Sequence, residues 1–314
     1  MITQLAFVFP GQGSQSVGML AELAAQHPLI GETFEEASQG ADADLWHISQ
    51  NNPDDQLNQT EFTQPALLAA NIALWRLWQK QGLAQPAVLS GHSLGEYAAL
   101  VAAGALTLSD AARLVRLRGQ FMQQAVPAGV GAMAAVLGAE DAMVEQICTE
   151  NTQADSVVVP ANYNSPGQIV IGGHAEAVDR AVAALQAAGI RKTVKLAVSV
   201  PSHTPLMRGA AERLASAIQE TSWQNPQIPV IHNVDAETKT DITEIQQALV
   251  RQLYLPVQWT RCVHALGAAG VRHAVECGPG KVLGGLIKRI DKSMATYALA
   301  TPADWQAQSE QTFD

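Results

Sequence analysis

The sequence predicts an α/β protein: a large domain built on a parallel sheet, with a small ferredoxin-like domain inserted into it. Three observations carry this. Short apolar runs at Leu5–Phe9, Ala87–Leu89 and Val271–Cys277 each lead into a Gly-rich turn, as strands feeding helices do. Amphipathic helical patterns lie between them. Residues 127–198 have an order of their own, strand–helix–strand–strand–helix–strand, which is the ferredoxin-like unit.

In chain order, Leu5–Phe9 opens the parallel sheet and hands over to Gly11-Gln12-Gly13-Ser14-Gln15. Ser16 stands where a dinucleotide-binding turn needs its last glycine, and no lysine follows, so phosphate cradling is disfavoured. Pro65 opens a helix over Ala66–Lys80, with Leu67, Leu68, Ile72, Trp75 and Trp78 near helical spacing and Gly82 after the stop. Strand Ala87–Leu89 precedes a helix over Glu96–Ala103 that ends at Gly104, and Ser109 caps a helix over Asp110–Ala125.

A hinge-like Pro127-Ala128-Gly129-Val130-Gly131 then leads into strand Ala132–Leu137 and helix Ala139–Glu150. Strands Ser156–Ala161 and Gln168–Ile171 flank a turn at Asn164-Ser165-Pro166-Gly167, and helix Ala175–Ala188 and strand Lys192–Val198 follow. The expected division is 1–126 with 199–314 for the large domain and 127–198 for the small one. Such an insertion leaves a cleft between two bodies, a favoured place for a ligand. A helix from Leu206 to about Glu220 and the strand Val271–Cys277, followed by Gly278-Pro279-Gly280, complete the large domain.

At 314 residues the chain is long enough to bury a large core. It carries 19 Lys and Arg against 29 Asp and Glu, a net charge of −10, which excludes a bulk electrostatic grip on nucleic acid. The first base is Arg76, so neither a secretory n-region nor an Arg-rich transit peptide is expected. Charge-free runs such as 119–139 and 156–175 are interrupted by Gln, Asn, Gly and Pro, so no membrane span is expected and the predicted location is the cytoplasm. Cys148, Cys262 and Cys277 have no CxxC spacing and read as reduced, buried, small apolar residues, with no metal site implied.

Gly91-His92-Ser93-Leu94-Gly95 is a G-x-S-x-G pentapeptide in the strand–turn–helix setting that motif requires, which makes the large domain hydrolase-like. A sharp turn with small residues on both sides lifts the Ser93 hydroxyl clear of the backbone, and the helix behind it favours developing negative charge. Ser93 is the candidate nucleophile. It needs a base, and the chain has eight histidines. His92 should point away from its neighbour. His203, in Pro201-Ser202-His203-Thr204-Pro205 before a helix, is the best candidate, although that position also suits a simple cap.

Arg118 stands out by periodicity. Leu114, Val115, Phe121 and Met122 lie three or four residues from it on one helix face, whereas Arg113 and Arg116 are roughly 140° and 160° away and should be solvated. A guanidinium on an apolar stripe needs an anion, and no Asp or Glu shares the stripe. Either a remote carboxylate of the protein or one on a ligand meets that need. The adjacent Gly119 costs about 1 kcal/mol of helix stability, which suggests a close approach there. The Gln12 loop is either an ordinary turn or the source of a second backbone N–H beside Ser93, since an oxyanion hole draws one donor from the residue after the nucleophile and another from a neighbouring strand–helix loop.

With these residues in view, the chain resembles the malonyl-CoA:acyl-carrier-protein transacylase family over essentially its whole length. The resemblance rests on Phe9-Pro10-Gly11-Gln12-Gly13-Ser14-Gln15, Gly91-His92-Ser93-Leu94-Gly95-Glu96, Arg118-Gly119, Asn162-Tyr163-Asn164-Ser165-Pro166-Gly167-Gln168, Pro201-Ser202-His203, Gln252-Leu253 with Pro256-Val257-Gln258-Trp259, and Glu276-Cys277-Gly278-Pro279-Gly280. It implies Ser93 as nucleophile, His203 as base, and the N–H groups of Gln12 and Leu94 as the oxyanion hole. It further implies that Arg118 pairs with the malonyl carboxylate and that Gln252 orients the histidine through a carbonyl, from either its backbone or its side chain. Met122, Asn162 and Asn164 are candidate pocket residues, and Lys281, Lys288, Arg289 and Lys292 a candidate docking patch for an acidic carrier. The implied partners are malonyl-CoA and acyl carrier protein, with no cofactor. Val200-Pro201-Ser202 departs from the His-Ala-Phe of malonyl-selective polyketide synthase domains. Two other readings compete: a serine carboxylesterase or thioesterase, which would want an acid such as Asp110, Glu140, Asp141 or Glu176 in its triad, and a catalytically idle carrier-binding scaffold.

Overall fold

The computed structural model describes residues 4–198, 200–308 and 313, so the expected domain limits at residues 1, 199 and 314 lie outside the described residues. The chain begins with β1 (Leu5–Phe9), α1 (Ala21–Gln26), α2 (Pro28–Ala41), α3 (Leu45–Asn51) and α4 (Thr60–Lys80). Then come β2 (Val88–Gly91), α5 (Gly95–Ala102) and α6 (Leu108–Ala125). Next are β3 (Gly131–Leu137), α7 (Asp141–Asn151), β4 (Val158–Ser165), β5 (Gln168–His174), α8 (Ala175–Ala187) and β6 (Lys192–Lys195). The chain returns through α9 (Arg208–Gln219), β7 (Val230–Ile231), α10 (Ile242–Gln252), α11 (Trp259–Ala268), β8 (His273–Glu276), α12 (Val282–Ile290), β9 (Ala295–Ala298) and α13 (Pro302–Gln308).

Two sheets result. One is fully parallel, in the order β7-β2-β1-β8-β9, and the other is antiparallel, in the order β4-β5-β3-β6. The second order is that of a ferredoxin-like unit, so the α/β class and the distinct small sheet are both as the sequence predicts. β1 lies at the centre of the parallel sheet and is buried along its length, as a strand covered on both faces must be. Phe7 there packs edge-on against Trp75 and Trp78 of α4, with ring centroids 5.2 and 5.0 Å away. The tryptophans of that helix are core residues.

Several boundaries differ from the sequence reading. α4 starts at Thr60, a turn and a half before Pro65, so Pro65 sits inside the helix. The break it threatens is limited to one missing N–H near the N-terminus, where Thr63 Oγ1 also ties back to the carbonyls of Leu57 and Gln59 at 2.6 and 2.9 Å. The cap of α6 is Thr107, whose Oγ1 accepts from the Asp110 N–H at 3.1 Å, in place of Ser109. β4 continues through Asn164 and Ser165, leaving Pro166 and Gly167 to make the turn, and β6 ends at Lys195 rather than Val198.

The register of the parallel sheet sets up the site. Phe9 pairs with Gly91, so the turns leaving β1 and β2 emerge side by side at one edge of the sheet. The small sheet is stitched over this edge by Val257, whose N–H donates to the Ala161 carbonyl and whose carbonyl accepts from the Tyr163 N–H, both at 2.9 Å.

Candidate active site

Ser93 occupies the turn from β2 into α5 with φ 52°, a left-handed conformation that costs a non-glycine residue about 1–3 kcal/mol. The turn is held in place at several points. Asn233 accepts the Ser93 N–H on Oδ1 at 2.7 Å and donates from Nδ2 to the Gly91 carbonyl at 2.7 Å. Gly95 lies so close to the Phe9 carbonyl that any Cβ there would collide with it. The strained backbone aims the Ser93 hydroxyl at His203, with Oγ to Nε2 at 2.8 Å.

His203 also has positive φ, 61°, and is 3% exposed. Its Nδ1–H donates to the backbone carbonyl of Gln252 at 2.6 Å, which selects the tautomer that leaves Nε2 free to accept the serine proton. Burial, and then the nearby Arg118 charge, push the His203 pKa down to about 3, so the ring is a neutral base at ordinary pH. The acids Asp110, Glu140, Asp141 and Glu176 do not reach it. The partner of its Nδ1 is a peptide carbonyl.

Arg118 is fully buried and meets this pair directly. Nη2 donates to Ser93 Oγ at 3.2 Å and to Gln252 Oε1 at 3.0 Å, and Nη1 donates to Gln64 Oε1 at 2.7 Å. Nε has no partner. Among the described residues no carboxylate pairs with this guanidinium. Burial lowers its pKa, opposed by the neighbouring Tyr97 and Glu96.

Arg116, expected in solvent, is instead covered. It pairs with Glu61 at 3.3 Å, donates to the Ala41 carbonyl at 3.0 Å and lies 4.4 Å over the Phe62 ring, because α6 packs against both α2 and α4. The close approach at Gly119 is likewise made by protein: a Cβ there would meet the Glu61 backbone of α4.

Residues 6–303 match the model of the acyl transferase domain family. The chain belongs to the acyl transferase family. It is 55% identical over 302 residues to the malonyl CoA-acyl carrier protein transacylase of Salmonella typhimurium, covering 96% of this chain and 97% of that one. Among solved structures, the malonyl-CoA:acyl carrier protein transacylase of Xanthomonas oryzae is 66% identical with a TM-score of 0.96, over 98% of each chain. A malonyl-transacylase in complex with a type II polyketide acyl-carrier protein is 48% identical, with a TM-score of 0.94 over 96% of this chain and 98% of that one.

Within this acyl transferase domain the remaining expected residues fall in distinct places. Leu94 directly follows Ser93 and Gln12 lies on the adjoining β1 turn, where its side-chain Oε1 accepts from the Thr60 hydroxyl at 3.0 Å. Ser93 N–H is committed to Asn233, whereas among the described residues the N–H groups of Leu94 and Gln12 donate to no backbone carbonyl. Met122 is buried on the Arg118 face, with its sulfur 3.7 Å from Gln64 Nε2. Asn162 is nearly buried beside Val257 on β4, and Asn164 Oδ1 accepts from His92 Nε2 at 2.8 Å.

Lys281, Lys288, Arg289 and Lys292 are all exposed on or beside α12. Lys281 is paired with Asp304 at 2.7 Å, and Arg289 donates to the Gln168 side chain of β5. Three residues that the sequence reading passed over also meet here: Gln64, Asn233 and Glu96. Glu96 is buried and accepts from His232 Nδ1 at 2.8 Å, the Asn233 N–H at 2.9 Å and Gln252 Nε2 at 2.9 Å. The run Gly91–Glu96 held the only local signal for it. Among the described residues no cluster of three or more His, Cys, Asp or Glu is placed to hold a metal, and no helix is long and apolar enough to cross a membrane.

Proposed function

We propose that this protein transfers a malonyl group from malonyl-CoA to the phosphopantetheine thiol of acyl carrier protein, supplying chain elongation in fatty-acid synthesis. The observation that carries this reading is the buried Arg118, without a carboxylate partner among the described residues and 3.2 Å from the Ser93 hydroxyl. A malonyl thioester offers a carbonyl for Ser93 and a free carboxylate for Arg118, and a plain acyl thioester offers only the first. The names of the relatives support the same substrate and carrier.

In this mechanism His203 Nε2 takes the Ser93 proton as Oγ attacks the thioester carbonyl. The N–H groups of Leu94 and Gln12 hold the oxyanion. Collapse breaks the C–S bond, and the imidazolium returns the proton to the departing CoA thiolate. The phosphopantetheine thiol then gives its proton to His203 and attacks the malonyl-serine ester, and Ser93 leaves with that proton. The backbone carbonyl of Gln252 steadies the imidazolium. Side chains and backbone supply every step, so the reaction calls for no cofactor. Met122, Asn162 and Asn164 bound the acyl pocket. We assign 1–126 and 199–314 to the large domain, 127–198 to the small one, and the protein to the cytoplasm.

Brief incubation with malonyl-CoA followed by intact-mass measurement tests the reading. A malonyl adduct that Ser93→Ala abolishes is expected. CoA release without an adduct would make the protein a hydrolase, and no reaction would make it a scaffold.

The exposed cations near α12 are the receiving surface for the acidic carrier. Lys288 and Arg289 lie in the last turn of that helix, and Lys288 and Lys292 have no carboxylate partner among the described residues. Reversing both charges, Lys288→Glu with Arg289→Glu, should raise the carrier KM by about tenfold and leave malonyl-CoA loading unchanged. Steady-state rates at varied carrier concentration give the answer, and an unchanged carrier KM would remove this surface from the reading.

A further inference from the structure

Arg118 is held by two amide oxygens, from Gln64 and Gln252, at 2.7 and 3.0 Å. That choice is unusual for a guanidinium shut away from water, which is satisfied far better by a carboxylate. Position 252 is constrained by its other contacts. Gln252 Nε2 donates to the Ser93 carbonyl and to Glu96 Oε2, both at 2.9 Å, so only an amide can face two acceptors on one side and a guanidinium on the other. An acid there would confront Glu96.

Position 64 carries no such constraint. Gln64 Nε2 donates to the Thr60 hydroxyl at 2.9 Å and touches the Met122 sulfur at 3.7 Å, and among the described residues no carboxylate is hydrogen-bonded to it. A hydroxyl rotates freely, so Thr60 is able to donate to a carboxylate at position 64. Electrostatics would therefore favour a glutamate at this position, yet the chain has glutamine.

We propose that Gln64 is a specificity-determining residue, holding Arg118 in position through a neutral oxygen and so reserving its charge for an acyl group that brings a carboxylate. The proposal rests on the reading of Arg118 given above. A glutamate at 64 would act as an internal substitute for that carboxylate. It would compete at a distance no substrate improves on, and it would leave acyl groups without a charge unaffected by the loss. A smaller effect shared by all acyl groups is also expected. Thr60 Oγ1 donates its single proton to Gln12 Oε1 at 3.0 Å, and turning it towards residue 64 would release the Gln12 side chain.

The experiment compares Gln64→Glu, Gln64→Met and Arg118→Ala with the parent chain. It measures kcat/KM for acyl-enzyme formation from malonyl-CoA and acetyl-CoA, together with the melting temperature. Gln64→Glu should lose about a hundredfold with malonyl-CoA and less than about fivefold with acetyl-CoA, while melting no lower than the parent because the buried charge is now paired. Gln64→Met removes the acceptor without adding charge, and should keep the preference for malonyl with losses below about tenfold. Three outcomes overturn the proposal: equal losses for both acyl groups in Gln64→Glu, a Gln64→Glu chain that does not fold, or a Gln64→Met chain that loses the preference as fully as Gln64→Glu. Arg118→Ala separates the two levels. If it spares the malonyl preference, the carboxylate reading itself falls, and if it abolishes the preference while Gln64→Glu does not, only the role of Gln64 falls.

Discussion

Replacing His203 by alanine should slow acyl-enzyme formation from malonyl-CoA by about a thousandfold or more, with little change in melting temperature. Among the described residues the ring is the base that meets Ser93 Oγ, and its 2.6 Å bond to the Gln252 carbonyl keeps Nε2 unprotonated and aimed. A loss below about tenfold would mean that another group takes the proton. The pH profile supplies a second check on the same residue. With its pKa lowered to about 3, mainly by burial and then by Arg118, the ring stays in its neutral form well below the range where a histidine ordinarily titrates. The loading rate should therefore show no acid limb near pH 6.5, the ordinary histidine value, and should fall only as the pH nears about 3. In Arg118→Ala one of the two main depressing influences is gone, so the acid limb measured with acetyl-CoA should move upward.

Arg118→Ala carries the second large effect. Malonyl loading should fall by about 10²–10³-fold in kcat/KM, with acetyl loading within about fivefold of the parent. The guanidinium is fully buried and its Nε has no partner among the described residues, so an arriving carboxylate finds a desolvated cation rather than one already shared with water. Because Nη2 also donates to Ser93 Oγ at 3.2 Å, part of the loss will reach every acyl group. The decisive quantity is therefore the ratio of malonyl to acetyl rates, and a ratio equal to that of the parent would leave Arg118 as a support for the serine alone.

Neighbouring residues made much of this legible. The Gly91–Gly95 pentapeptide marks Ser93 as the candidate nucleophile because the requirement for small residues on both sides of a sharp turn is local. The stripe of Leu114, Val115 and Met122 marks Arg118 as inward-facing because helical periodicity is local too. The same reasoning misjudged Arg116. One stripe accounts for one buried face, and α6 has a second face covered by α2 and α4. It also misplaced the start of α4, since a proline in the first turns of a helix breaks little when side chains such as Thr63 tie down the carbonyls around it.

The long-range contacts that complete the site have no local trace. Asn233 sits 140 residues from the serine whose N–H it accepts, and the Gln252 side chain reaches the Ser93 carbonyl across 159 residues. Which of the two oxygens of Gln252 serves His203 is settled by the packing of α10 beside the elbow: the backbone carbonyl takes the histidine, and the amide bridges Arg118 to Glu96. By itself the sequence determined the sheet class, the small antiparallel unit, a serine on a sharp strand–helix turn and an inward arginine, because strand and helix periods and turn sterics act over a few residues. Only the tertiary structure decided which groups surround that arginine, because hydrogen bonds between distant segments depend on how the elements pack, and nothing in the spacing of residues along a chain encodes their direction.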